Sequence, residues 1–375
     1  MLAGLCQMPI LASFGLLATI EAESVLASVG LVAGIGRVRR PSRPAPPLRR
    51  FSSMPETAPY TQRNRWLHRF ATLTAACTWV LIWAGGLVTS TESGLAVPDW
   101  PLSYGMLMPP MVGGIFYEHG HRMVATFVAL LTAILAVWLW RAETRRWVRR
   151  LGAVALAMVI LQGVLGGITV VFLLPTPVSV AHATLAQTFF CVIVLLAFAT
   201  SREWVEATEE PDPSAPPLRV VAAVATTAVY LQLVLGAAVR HTGSALAIPD
   251  FPLAFGGLIP PLESFPVAIH FAHRLFAVVV TGSIVWLVAR IWLRHRDDRR
   301  FTRLAVLLLG LVLLQLALGG TIVWTSRAVF PATAHVANGA LLLATTWLVT
   351  LRASIRFAPR STARLGSVVA AEGRS

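Results

Sequence analysis

Four histidines carry the strongest chemical signal in this chain: His121 in "EHGHR", His182 in "VAHATLAQ", His273 in "HFAHR" and His335 in "TAHVANG". Each lies in the first turn or two of an even-numbered apolar run, and the four recur at equivalent places in two halves of the chain. An imidazole inside a membrane segment is costly, so it usually faces a bundle interior and does something there. Two imidazoles at one depth on two helices can face each other across a bundle core, the arrangement that bis-histidine haem ligation requires. Zinc usually asks for a third or fourth ligand, and no Cys or carboxylate partner stands beside both pairs. For any single one, a ring at the membrane interface bonded to a loop carbonyl is the plain alternative. Four at matching positions are harder to account for in that way.

The neighbours of these histidines sharpen the reading. On a helix of 3.6 residues per turn, Glu118, His121 and Arg122 share one sector, while His119 points roughly opposite to His121. His121 is therefore the expected ligand and His119 the interfacial residue. "HFAHR" gives His270, His273 and Arg274 the same geometry. An arginine beside each ligand suits a haem propionate, held by a charge-assisted pair; snorkelling to headgroups is the other reading of Arg122 and Arg274. Where the first half has Glu118, the second has His270. That asymmetry predicts one site that does chemistry and another that passes electrons or supports the fold. Beside a haem edge, Glu118 can accept a proton or stabilise a cationic intermediate.

The elements that must hold these residues are membrane spans. Of 375 residues, 56% are apolar, and several apolar runs reach the ~20 residues needed to cross a bilayer as a helix. The spans are expected at roughly 68–90, 118–140, 148–173, 177–200, 218–240, 267–292, 301–325 and 331–352, which predicts an all-α polytopic membrane protein. The segments 63–69, 141–150, 293–303 and the tail after Arg352 are rich in arginine, whereas the loops 91–117 and 241–266 contain no Lys or Arg. By the positive-inside rule both termini are cytoplasmic and both loops lie outside. The stretch 201–217, acidic and proline-rich, reads as a solvated cytoplasmic linker between halves, and 353–375 as a cytoplasmic tail. The net charge of +14 needs no nucleic acid to explain it, because basic cytoplasmic loops face anionic headgroups.

The two outer loops are copies of each other. "LAVPDWPLSYGMLMPP" (95–110) aligns without gaps on "LAIPDFPLAFGGLIPP" (246–261), and the likeness continues through "LQGVLGGITV" and "LQLALGGTIV". The period is roughly 151–153 residues, or four spans, so the halves share one orientation, as a parallel repeat. Each half is expected to be a four-helix bundle, 54–200 and 218–352, with Gly163, Gly166, Gly167, Gly319 and Gly320 letting helices approach closely. The Pro-Asp-aromatic-Pro cores, Pro98-Asp99-Trp100-Pro101 and Pro249-Asp250-Phe251-Pro252, are expected to cap the haem pockets with an aromatic ring. A purely structural turn role for Asp99 and Asp250 stands beside that reading.

Residues 1–53 mix weakly apolar stretches with an Arg/Pro-rich run. Glu21 and Glu23 interrupt the apolar part, and the arginines follow it, unlike a signal peptide. An upstream start chosen in error, with Met54 as the natural one, is the favoured reading. The three cysteines are too few for a disulfide framework, and Cys77 and Cys191 read as small buried side chains.

Together "SGLAVPDWPLSYG", "EHGHR", "VAHATLAQ", "RHTGSALAIPDFPLAFG", "IHFAHR" and "TAHVANG", in this order over about 64–352, resemble the haem A synthase family. The resemblance implies oxidation of a methyl group of haem O to the formyl group of haem A, the cofactor of terminal cytochrome oxidases. It implies that the first half holds haem O, with Glu118 essential and His121 and His182 around the iron, and that the second holds a haem b cofactor on His273 and His335. Association with the haem O-forming prenyl transferase and with oxidase assembly factors is a further expectation. Some members carry cysteine pairs at positions that here are Val97, Ser103, Ile248 and Ala254, so no loop disulfide is expected. A two-haem electron-transfer cytochrome and a haem carrier are the rival readings. The first has no need of a carboxylate in one half only, and the second predicts no altered haem product.

Overall fold

The computed structural model describes residues 62–208, 210–212 and 214–358. The expectation for 1–53 lies outside the described residues. Eight helices long and apolar enough to cross a membrane are present: α1 Gln62–Ser90, α2 Gly113–Ala142, α3 Arg146–Val171, α4 Thr176–Ala199, α5 Leu218–His241, α6 Phe265–Arg294, α7 Arg299–Trp324 and α8 Val329–Arg356. The expected spans correspond to these one for one. The main boundary differences are at α1, which begins at Gln62 instead of 68, and at α2, which begins at Gly113 instead of 118. His121 therefore lies in its third turn, deeper than a reading from apolarity alone had it, because Gly113 and Gly114 follow Pro110 and look like loop.

Local chemistry sets the helix ends. Pro177 and Pro266 stand in the first turns of α4 and α6, where a missing N–H costs nothing. Asp298 caps α7 by accepting from the Arg300 amide at 2.9 Å. α3 and α7 both end in two successive left-handed residues, Leu173-Leu174 and Ser326-Arg327. There the Leu174 amide returns to the Thr169 carbonyl and the Arg327 amide to that of Ile322, a Schellman-type closure.

Each half has its own apolar core. One is built from Leu67, Val128, Leu135, Leu139, Phe189 and their neighbours, the other from Leu218, Ile284, Leu287, Phe301, Leu308, Leu343 and theirs. Across the middle, α1 packs on α8, and α4 on α5 and α8. Polar clasps fix that seam: Trp79 Nε1 donates to the Ala337 carbonyl (2.9 Å), Trp347 Nε1 to that of Cys191 (3.1 Å), and Thr188 bonds the Tyr230 hydroxyl (2.8 Å).

The connection 201–217 is less solvated than its composition suggests. Asp212 is buried; its carboxylate accepts from the Leu218 amide at 2.7 Å and from Ser214, and so caps α5. Glu203 takes a two-pronged bond from Arg352 of α8. The acidic residues that made the segment look like a free linker are the ones that dock it.

The two long loops, 91–112 and 242–264, lie at the same end of the molecule and repeat each other in backbone detail. Both hold a cis X-Pro bond, at Trp100-Pro101 and Phe251-Pro252, followed by a left-handed pair, Tyr104-Gly105 and Phe255-Gly256.

Candidate functional site

Each of the four histidines rests on a glycine of the preceding helix. A Cβ built at Gly85 of α1 would stand 3.1 Å from Cε1 of His121. The same construction gives 3.4 Å from Gly166 of α3 to His182, 3.0 Å from Gly236 of α5 to His273, and 3.4 Å from Gly319 of α7 to His335. The glycine leaves a slot that the Cε1 side of the ring enters. Nearby amides hold the histidine backbones on the same neighbours: Gln162, Gln232 and Gln315 donate to the carbonyls of His182 (3.1 Å), His273 (2.9 Å) and His335 (3.2 Å).

In all four rings Nδ1 is buried without a hydrogen-bond partner, while Nε2 is not closed off. His121 and His182 are electrostatic neighbours within the first half, and His273 and His335 within the second. Among the described residues, no three His, Cys, Asp or Glu side chains converge as a protein-only metal cage. Paired imidazoles with one open nitrogen each fit a haem, whose macrocycle supplies the other ligands to iron.

Four of the glycines expected to bring helices together serve side chains instead. Gly166 and Gly319 receive the His182 and His335 rings. Gly167 receives the loop residue Trp100, with ring atoms from 2.5 Å of a built Cβ, and Gly320 receives Phe251 from 2.9 Å. Gly163 faces open space. Sequence reading missed Gly85 and Gly236 altogether, although they stand 151 residues apart, one repeat period. That period was the available signal.

Around the first pair, the loop 91–112 is fastened to α2 by Glu118 and Arg122. Glu118 is 4% exposed. Its Oε2 accepts from the Val97 amide at 2.8 Å and its Oε1 from Arg122 Nη2 at 2.6 Å. Arg122 also donates to the carbonyls of Asp99 and Leu102, both at 2.8 Å, and of Val97 at 3.3 Å. The protons on its two terminal nitrogens are thus all assigned, which leaves Nε for any other anion. Arg274 repeats the arrangement with the Leu253 and Ile248 carbonyls at 2.9 and 3.1 Å, and keeps one unassigned proton on each terminal nitrogen.

His270 occupies the Glu118 position and meets the same two donors, the Ile248 amide at 3.3 Å and Arg274 Nε at 3.2 Å. A neutral imidazole has one acceptor nitrogen, so it can serve only one of them, whereas the carboxylate serves both. The Glu118/His270 asymmetry therefore has a structural side as well as the chemical one expected from it.

His119, expected at the interface, is instead 6% exposed beneath the loop, with Nδ1 2.8 Å from the Ser103 hydroxyl. The helix wheel placed it opposite His121 correctly, but the loop folds back over that face. Val97, Ser103, Ile248 and Ala254 are all buried, so the positions read as lost cysteines are packed by small or apolar side chains.

Asp99 and Asp250 hold turns. Asp99 accepts from the Tyr104 and Gly105 amides at 2.6 and 2.8 Å, Asp250 from Phe255 and Gly256 at 2.7 and 2.8 Å. These amides, Gly105 foremost for Asp99 and Gly256 for Asp250, hold both carboxyls below the ordinary aspartate range.

Residues 111–347 match the COX15-CtaA family of cytochrome oxidase assembly proteins. The chain belongs to the haem A synthase family. It is 34% identical over 295 residues to the haem A synthase of Halalkalibacterium halodurans, covering 75% of this chain and 95% of that one. It is 36% identical over 257 residues to that of Symbiobacterium thermophilum, covering 66% and 81%. Against that of Listeria monocytogenes the figures are 30% over 287 residues, 72% and 90%. Residues 111–347 contain all four histidines, Glu118, Arg122 and Arg274.

Proposed function

We propose that this chain is an oxidoreductase that converts the methyl substituent of haem O to the formyl group of haem A, for the assembly of a terminal cytochrome oxidase. The observation that carries the reading is Glu118, a buried carboxyl group one turn from a slotted histidine, in a member of the haem A synthase family.

In this reading His121 and His182 hold haem O as substrate. The substrate carbon passes from methyl to alcohol and then to a geminal diol, each hydroxylation adding a hydroxyl group and removing two electrons, which leave through the second haem to an electron acceptor outside the chain, and the diol loses water to give the aldehyde. Glu118 accepts a proton or stabilises positive charge at that carbon; each carboxylate oxygen keeps a lone pair beyond its bond to Val97 or Arg122. Trp100, seated on Gly167, and the loop above it keep bulk water from the reacting edge. His273 and His335 hold haem b, which supplies one-electron transfer when bound. Arg274, through its unassigned protons, and Arg122, through Nε, are the propionate partners that the sequence suggested.

In this reading both termini are cytoplasmic and both loops outside, which the arginine-rich helix ends support. The haem O-forming prenyl transferase and oxidase assembly factors are the partners proposed to deliver substrate and take product. Expression in cells that make haem O but lack haem A tests the reading. Extracted haem should then contain haem A or its hydroxylated precursor; unchanged haem O alongside a haem-loaded protein would favour an electron-transfer cytochrome.

A further inference from the structure

Arg240 is a cation that neither the loop staples nor the histidine slots use. It stands in the last turn of α5, four residues beyond Gly236, and so on the helix face against which His273 rests. Its side chain reaches across the seam to α1, where Nη2 donates to the Gly86 carbonyl and the Ser90 hydroxyl, both at 2.8 Å. Those two bonds use both protons of Nη2 and fix the guanidinium in place. Nε and Nη1 have no acceptor among the described residues, and neither is sealed away as a buried orphan. They lie at the loop end of the second bundle. No carboxylate attends the group: Glu92, in the same corner, is taken by Arg327 at 2.9 Å. Arg240 is also an electrostatic neighbour of His335.

A partly buried guanidinium at the end of a span, with three of its five N–H donors unassigned, calls for an anion. Its repeat counterpart, Thr89, carries no charge, so the feature belongs to the second site alone. We propose that Arg240 binds a propionate carboxylate of the haem held between His273 and His335. Two donors in a fixed fork match a carboxylate, and the anchoring to α1 makes the second haem site depend on the first helix of the other half. The inference rests on the two-haem reading above and refines its second site.

The test compares haem b with its dimethyl ester, in which both propionates are neutral. The full chain, carrying His121→Ala and His182→Ala so that only the second site ligates, is purified from haem-starved cells and titrated with each. With Arg240 present, haem b should bind about tenfold or more tighter than the ester. In Arg240→Gln the gap should shrink about tenfold, through loss of haem b affinity with the ester unchanged, leaving only the share that Arg274 supplies. Arg240→Lys, which keeps the charge, should retain part of the gap. Equal binding of acid and ester with Arg240 present overturns the proposal before any Arg240 variant is made, and so does a full gap surviving in Arg240→Gln. If neither compound gives a bis-histidine spectrum, the two-haem reading itself fails, a result distinct from either.

Discussion

Arg122 Nη2 lies 2.6 Å from Glu118 Oε1, and the same guanidinium holds the carbonyls of Asp99 and Leu102. The carboxyl group proposed for chemistry is thereby locked to the loop that roofs its site. Loop position and carboxyl position are one variable.

Removing the staple should therefore cost both fold and function. Arg122→Gln leaves a buried carboxyl group without its cation and frees three loop carbonyls, a loss of about 2–3 kcal/mol, with product formation down tenfold or more. Arg274→Gln faces an imidazole instead of a carboxylate and should cost less. Thermal unfolding of the two variants side by side checks the order; equal losses would contradict the distinction between a charged and a neutral partner.

The histidine slots predict a steep size dependence. At Gly236 a Cβ alone would stand 3.0 Å from His273, so Gly236→Val should displace the ring and abolish the bis-histidine haem spectrum of the second half. Gly163→Ala, with nothing within 4 Å, should leave every haem signal unchanged. Optical spectra of the two variants test whether glycine at these places is about ring seating or general helix packing.

Gly167→Ala puts a carbon 2.5 Å from the Trp100 ring, closer than atoms can approach. The tryptophan must lift, at about 1–3 kcal/mol, and with it the roof of the first site. Indole fluorescence should shift to the red, and Gly167→Ala combined with Trp100→Ala should be less than additive. Additive losses would mean that the ring and the glycine are not partners.

Asp99 should make the loop insensitive to ordinary pH. Its carboxyl is held below the usual value by the Gly105 and Tyr104 amides. A group with a depressed folded-state value contributes stability that is fully present above the unfolded value of about 3.9 and is lost as pH falls through the folded one. Hydrogen exchange at Tyr104 and Gly105 should therefore stay slow from neutrality down to about pH 4 and speed up only below it. In Asp99→Asn the protection should be weaker and independent of pH across that acid range.

Much of this arrangement could be read from the sequence because its causes are periodic. Apolar runs of bilayer length gave the eight helices, and the repeat pointed to the four histidines as one set. What could not be read depends on contacts between distant segments. His119 looked interfacial because nothing local announces that Ser103 folds back onto it. The acidic stretch 201–217 looked solvated because docking of Glu203 on Arg352 spans 149 residues. Glycines in spans suggest helix contact by default, and only the fold reveals that Gly166 and Gly167, adjacent in the chain, seat two different rings. Arg240 passed unnoticed for the same reason: its partners, Gly86 and Ser90, lie in the other half.

The most direct test of the central claim is the haem content of cells that make haem O but lack haem A, expressing the chain with Glu118→Gln. The amide oxygen can keep one of the two bonds, to the Val97 N–H or to Arg122, as His270 does in the second half, so the loop should stay closed and the second-half haem spectrum should persist. Mass spectrometry of extracted haem should show haem O and no haem A, whereas the unsubstituted chain yields haem A or its hydroxylated precursor. Haem A at the unsubstituted level from the Glu118→Gln chain would mean that Glu118 only fastens the loop, and the proposed chemistry at this carboxyl group would be wrong.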